Sequence, residues 1–400
     1  MIETSAPPRR DLHLIRLYYF VSIGAGGFLM PFLSLFFRRQ GLSGTEIGLL
    51  GTVQATVSLV SAPLSGNMSD RFNRPRRFIQ VMLLGSAVVT LLLGKQDQFV
   101  MIALLVALNA LIGAGLMPLS DTLASSIAGR YEDVGFGSIR LWGSLGWTLV
   151  SAVAGRFIER LGLTFAFVGQ AVGLAVSAVV IQFIPRQKRD SGDQAGETTQ
   201  PLDMRHGLRA ILHNARLTSL ALGLGFAWLL SSALYQFEAI FLDELGASET
   251  TIGMANALTA LVELPAMLLA DRLLKRYSAG WLLRAGLLLM AARMIAILAV
   301  PTVPMIMATR LLMGVQFSFY SVGVIGYINA YAGKTYRVTA VAIITVTLRN
   351  LAVMIGSPIS GIVYDAVGAY WLYAIGLVGA LGGWFILQVG KMRVQLANGI

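Results

Sequence analysis

The chain has 400 residues, 56% of them hydrophobic and 13% charged, with a mean hydropathy of +0.71, a composition that excludes an ordinary water-soluble domain. It contains no cysteine, which excludes disulfides, thiolate metal sites and cysteine nucleophiles. The net charge of +11 raises nucleic acid as a partner, but the placement of the cations assigns it to membrane topology instead.

Apolar residues fall in twelve runs, at 15–37, 44–66, 77–95, 99–122, 137–156, 163–184, 217–241, 250–270, 280–300, 303–326, 337–361 and 369–390. Each is long enough to cross a hydrocarbon core of about 30 Å as a helix. The alternation over ten-residue segments that a β-barrel needs is absent. The first run, with "YYFVSIGAGGFLMPFLSLFF", is too long for a signal peptide and lacks a small-residue cleavage pattern, so it is expected to stay in the mature chain. Of the 31 Lys and Arg, 21 fall on the side that holds the N-terminus, 5 on the other side and 5 within helices. That positive-inside bias predicts an inner (plasma) membrane protein with both termini cytoplasmic.

The second run closes with "GNMSDRFNRPRR", residues 66–77. A carboxylate at a helix end beside clustered arginines can latch one conformation through charge-assisted hydrogen bonds, which makes Gly66, Asp70, Arg71, Arg74 and Arg77 a candidate gating loop. The same arginines can equally serve topology alone. In the fourth and fifth runs, Asp121 in "MPLSDTLASS" and Arg140 in "FGSIRLWGSLGW" lie at similar depth and can pair, as a structural clamp or as part of a binding site. Trp147 follows Arg140 by seven residues, on the same helix face. An arginine and an indole on one face can cradle a polar molecule with an apolar side.

The polar stretch 185–216 reads as a cytoplasmic linker with a surface helix around 203–215. It separates an N-terminal six-helix bundle, 1–184, from a C-terminal one, 217–400. The halves repeat each other: "TEIGLL", Pro63 and "SDRF" in the second run match "TTIGMA", Pro265 and "ADRL" in the eighth. An even number of spans per half makes the repeats parallel, an architecture found in transporters.

Beyond the linker, Glu263 on the eighth run and Arg293 on the ninth lie near the midplane and are expected to meet. Glu238, Arg310 and Arg349, on the seventh, tenth and eleventh runs, form a further charge network; two arginines against one carboxylate leave a positive excess that suits an anionic solute. An ionisable group at this depth costs about 2.5 kcal/mol or more on insertion scales, so it faces the bundle interior with a partner or a job. Arg284 is expected to snorkel. Glycine pairs serve close helix packing and in-span prolines serve kinks. His13, His206 and His213 lie outside the runs without metal spacing, and no nucleotide, hydrolase or zinc-protease motif occurs, so neither cofactor, metal site nor enzymatic activity is expected.

G-x-x-x-D-R-x-x-R-x-R-R in the 66–77 loop is similar to the loop motif of the major facilitator superfamily, with Asn73 where a glycine is usual. The resemblance spans both halves and implies an all-α membrane protein of twelve transmembrane helices in two pseudo-symmetric bundles that work by alternating access. "SDTLASS" followed by "FGSIRLWGSLGW" resembles the lactose and phenylpropionate permease branch of proton-coupled symporters. That likeness implies that Asp121, Arg140, Trp147 and Glu263 bind substrate, that Glu263, Arg293 and Asp121 take part in proton coupling, and that Glu238, Arg310, Arg349 and Gln316 form the charge network. Met313 and Gln316 stand where the permease has a histidine and a proton-carrying glutamate, so any coupling residue must differ. Burial favours the protonated form of a carboxyl and a neighbouring guanidinium favours the ionised form, which nominates Glu263 first and Asp121 second.

The expected function is secondary transport by a monomer: proton-coupled import of a small polar solute such as a sugar or an aromatic carboxylate. The alternatives are a proton-driven exporter of amphipathic compounds, which needs a larger aromatic cavity, and a non-transporting membrane sensor, which needs an output domain.

Overall fold

A computed structural model of the protein describes residues 9–185 and 204–397 apart from 73–74, 132, 233 and 334–335; for residues 62–72, 204, 391 and 393–397 only the backbone is described. Every described element is helical. The first half of the chain holds α1 (Arg10–Leu29), α2 (Leu33–Arg39), α3 (Gly44–Phe72), α4 (Pro75–Leu93), α5 (Phe99–Gly113), α6 (Leu116–Ala128), α7 (Phe136–Leu161) and α8 (Thr164–Val180). A short helix, α9 (Met204–His213), precedes the second half. There follow α10 (Ala215–Ser231), α11 (Leu234–Glu244), α12 (Glu249–Arg276), α13 (Ala279–Ala299), α14 (Val303–Tyr331), α15 (Arg337–Val341), α16 (Arg349–Val367) and α17 (Ala369–Ala397).

Among the described residues, ten stretches are long and apolar enough to cross a membrane. They include the composite spans α1–α2, α5–α6, α10–α11 and α15–α16, each broken within the predicted run. Pro31 lies in the first break, where it has no N–H to carry the helix ladder on. Between α15 and α16 the chain runs as a π-helix over Ala342–Leu348. The other two predicted runs are α3 and α7, 29 and 26 residues long. Residues 186–203, most of the predicted linker, lie outside the described residues; α9 coincides with the expected surface helix.

Within the first half, α1 packs on α7 and α8, and α4 on α8 and α5; within the second, α13 packs on α14 and α17, α12 on α14, and α10 on α17. The halves meet through α3 against α16, α7 against α12 and α2 against α11. One apolar cluster crosses between them at the end remote from α9, joining Phe36, Ile47 and Ala154 to Phe237, Ile240 and Ile252. Near α9 the cores separate: Leu12, Ile79 and Ile127 belong to a cluster in the first half, Ile211, Leu220 and Ile328 to one in the second. The bundle is therefore sealed at one end and parted at the other.

Polar contacts complete the seal, and they follow the internal repeat. Helix N-termini carry unpaired N–H groups and a partial positive charge. Asp365, near the end of α16, accepts from the N–H groups of Gly44 and Thr45 at 2.6 and 2.8 Å and from the Thr45 hydroxyl at 2.7 Å. Glu159, near the end of α7, does the same for α12, accepting from the N–H of Thr250 at 3.3 Å and from its hydroxyl. Arg39 bridges Asp243 and Glu249, both at 2.6 Å. Deeper in the seam, Gln236 Nε2 donates to the Ile47 carbonyl at 2.7 Å and Thr52 Oγ1 to the Met354 carbonyl at 2.9 Å. A side chain at Gly253 would run into the Ser151 carbonyl, so α7 and α12 touch backbone to backbone there.

These contacts carry the first prediction. Asp365→Asn and Arg39→Ala are each expected to shift the population toward forms parted at this rim by about fivefold to tenfold, the worth of a partly buried charge on a helix end. Distances between spin labels placed across the rim would read the shift. The bonds from Thr250 hold the Glu159 carboxyl below its ordinary range. A lowered carboxyl stabilises above its free value and loses that contribution as pH falls, so acid on this face is expected to part the same labels.

Candidate functional site

Between the parted halves lies a cavity of about 400 Å³, large enough for a small-molecule ligand. The first half contributes Ile23, Ser144 and Trp147. The second supplies most of the wall, with Trp228, Tyr235, Phe317 and Tyr320 as rings and Asn256, Glu263, Gln316 and Arg349 as polar groups. Trp147 lies against Gly26 of α1: a methyl there would meet the indole Cζ3 at 3.0 Å. The glycine is what lets the indole come this close to α1, so Trp147 is a lining residue as well as a packed one.

Glu263 sits half-buried on α12, and no ion pair to it occurs among the described residues. Its helix is pinned to α14 at this level, where the Ser318 hydroxyl donates to the Glu263 carbonyl at 3.1 Å. Arg349 stands on the same cavity wall, and α7, which carries Arg140, packs on α12 from the opposite half. The expected pairing of Glu263 with Arg293 is not made. Spans adjacent in sequence are not adjacent over this depth: α12 packs on α7 and α14, while α13 packs on α14 and α17 and turns Arg293 away from the cavity.

Arg293 instead binds Glu238 at 2.5 Å, and Arg310 reaches the same Glu238 oxygen at 3.0 Å. All three are buried. The charge network among the described residues is thus Glu238, Arg310 and Arg293; Arg349 and Gln316, expected in it, lie on the cavity wall, Arg349 exposed. Arg349 follows the π-helical turn directly. The positive excess expected for this group is present in the dry triad, and Arg349 adds a second cation that faces the cavity. The Gln316 Oε1 is buried and has no hydrogen-bond partner among the described residues. Met313 lies on the same wall, its sulfur 3.8 Å from an Arg310 nitrogen.

Asp121 and Arg140 do pair, at 3.2 Å, as the spacing predicts. They do not line the large cavity. They stand beside a smaller pocket of about 160 Å³, lined by Tyr18, Tyr19, Ser22, Met117 and Ser120, which shares Ile23 with the larger one. Tyr19 donates to Asp121 at 2.6 Å, Tyr18 and Ser120 hydroxyls lie 2.7 Å apart, and an Arg140 nitrogen reaches the Met117 sulfur at 3.6 Å. Sequence reading missed Tyr18 and Tyr19, although two tyrosines in an apolar run have hydroxyls that need partners. It also missed Trp228, Tyr235, Phe317 and Tyr320; nothing in their spacing separates cavity rings from packed ones.

In the gating loop, Gly66, Asp70 and Arg71 lie on α3, whose backbone runs to Phe72, but their side chains, and Arg74 altogether, lie outside the described residues. Arg77 is exposed on α4. Arg284 is half-buried on α13.

Two membrane-spanning helical halves sealed at one end around a largely apolar, ring-lined cavity that carries a few polar groups define a membrane transporter. Residues 12–375 match the family model described as MFS_1 like family, and the chain belongs to that family, within the major facilitator superfamily. It is 27% identical over 363 residues to the maltose permease of Geobacillus stearothermophilus, covering 89% of each chain. With the probable 3-phenylpropionic acid transporter of Escherichia coli (strain K12) it shares 24% identity over 372 residues, 90% of this chain and 94% of that one. The structure of the nucleoside transporter NupG superimposes with a TM-score of 0.80 at 16% identity, covering 96% of this chain and 99% of that one. These relatives are transporters and not enzymes.

Proposed function

We propose that the protein imports a small solute bearing a ring, a sugar or an aromatic carboxylate, in symport with a proton, and that the form described is open toward the cytoplasm. The bundles 1–184 and 217–400 are the bodies that rock, with 185–216 between them and both termini cytoplasmic in the inner (plasma) membrane. With that orientation the sealed end faces outward and the cavity empties inward. The monomer is sufficient, since each chain carries both halves of the site.

One observation carries the proton role: Glu263 stands on the cavity wall with no ion pair among the described residues, on a helix packed against α7, which carries the Arg140 that Asp121 holds within the first half. A proton on Glu263 leaves Arg140 with Asp121. Loss of the proton makes Glu263 a competing anion for Arg140, and a shared cation of this kind couples a titration to the relative position of two bodies. Arg349, Gln316 and Asn256 supply hydrogen-bond donors to the solute, and Trp147 with Tyr235 and Tyr320 offers faces for its ring. Asp121, Tyr19 and Arg140 border the smaller pocket and can hold a polar group that enters it.

Uptake of a panel of sugars and aromatic acids into proteoliposomes, with and without an imposed pH gradient, tests the reading directly. Accumulation of one solute that follows the gradient supports it; uptake indifferent to the gradient identifies a uniporter. Trp147→Ala is expected to raise the half-saturating concentration of that solute about tenfold with little change in the maximal rate.

A further inference from the structure

The helix α9 leaves the spanning bundle abruptly. Asn214 is extended (φ −104°, ψ 102°), and its side chain accepts from the N–H groups of Arg216 and Leu217 at 3.0 and 3.3 Å, so α10 starts afresh one residue after α9 ends. Because α10 begins the seventh span, α9 is fixed at a membrane boundary. Aromatic side chains mark the same boundary nearby: Tyr277 and Trp281 stack with centroids 4.7 Å apart at the start of α13, both partly exposed, the position aromatic belts occupy.

Around its axis α9 has three faces. Gly207 and Ile211 are buried, and a methyl on Gly207 would run into Thr339 and meet Ile343 Cδ1 at 3.2 Å, so this face lies hard against the start of the eleventh span. Leu208 and Leu212, one turn apart, are 48% and 60% exposed. Arg205 and Arg209, also one turn apart, are exposed beside them. Val338, 66% exposed on α15, and the exposed Tyr336 add apolar surface where the two helices meet.

We propose that α9 is an in-plane docking surface for anionic phospholipid, with Leu208 and Leu212 among the acyl chains and Arg205 and Arg209 on the headgroup phosphates. Both chemistries select this occupant. A soluble acidic partner would satisfy the arginines, but leucines held at the bilayer boundary are covered without cost only by lipid. The surface also leads inward: α9 braces Thr339 and Ile343, and Arg349 on the cavity wall directly follows the π-helical turn that holds Ile343. Lipid bound at α9 therefore steadies the segment that aims Arg349, a consequence that rests on the transport reading although the docking does not.

The absence of cysteine makes the test clean. Leu212→Cys carrying a nitroxide is reconstituted in phosphatidylcholine vesicles with or without about one-third phosphatidylglycerol, and its collision rates with oxygen and with a soluble nickel chelate are compared. The oxygen preference is expected to rise severalfold with phosphatidylglycerol, and Arg205→Gln with Arg209→Gln to remove that rise, at about fivefold in lipid affinity for each arginine. An oxygen preference equal in the two vesicles, or a nitroxide immobilised against protein in both because another part of the chain covers the leucines, overturns the proposal. Val338→Cys offers a second label site should the first disturb folding. Depth is read without transport, so failure here is distinct from failure of the symport reading.

Discussion

Glu263→Gln is expected to abolish solute accumulation driven by a pH gradient while exchange of solute for solute continues. One proton carried with each solute, at one pH unit of gradient, supports an accumulation ratio of about 10; the variant should bring the ratio to about 1. Glutamine keeps the size and polarity of the side chain on the cavity wall and removes the site of protonation. Asp121→Asn is the control that assigns the proton. Its carboxylate already takes a hydrogen bond from Tyr19 and an ion pair from Arg140, so its loss should weaken solute binding more than it alters the response to the gradient. A Glu263→Gln protein that still accumulates solute tenfold would end the coupling scheme.

The second large effect concerns stability. Glu238 is 2% exposed and is the carboxylate for both Arg293 and Arg310. Removing it leaves two guanidinium groups buried together, and breaking a buried pair costs about 3–5 kcal/mol. Glu238→Gln is therefore expected to yield little folded protein, read as the loss of the monodisperse peak in size-exclusion chromatography of the solubilised membrane fraction. Arg310→Met should behave in the opposite way, because it removes the excess cation, keeps the Glu238–Arg293 pair and fills the space with an apolar side chain. Its thermal stability is expected to match or exceed that of the parent. Equal loss in both variants would mean that Arg310 is held by something other than Glu238.

The contrast between Arg293 and Asp121 shows how much of this molecule is legible in its sequence. Span positions and the repeated halves follow from hydropathy and from "TEIGLL" against "TTIGMA", because a bilayer imposes length and composition on every crossing helix. Asp121 with Arg140 was legible too: α6 and α7 are consecutive, and depth alone brings the two side chains level. Glu263 with Arg293 failed on the same logic, since depth says nothing about rotation about a helix axis, and the packing of α12 on α7 and α14 comes from the fold of both halves together. Arg349 is a further case. Its exposure on the cavity wall follows a π-helical turn, and no propensity scale predicts that extra residue. The carboxylates of the rim, Glu159 and Asp365, had a weaker signal: each ends a span whose partner opens with Ser-x-x, but which helix end faces which is a property of the assembled bundle.

The repeated rim has a consequence for the whole cycle. A carrier that turns over must leave each of its end states about as readily as it enters it, so adhesion at one mouth requires a counterweight at the other. Four carboxylates, Glu159, Asp243, Glu249 and Asp365, with Arg39 between two of them, grip the sealed rim. Ionic contacts weaken with salt and with protonation of the carboxylate, so ionic strength and acidity in the compartment that the sealed rim faces act directly on that closure, and give that compartment a handle on the form the carrier adopts.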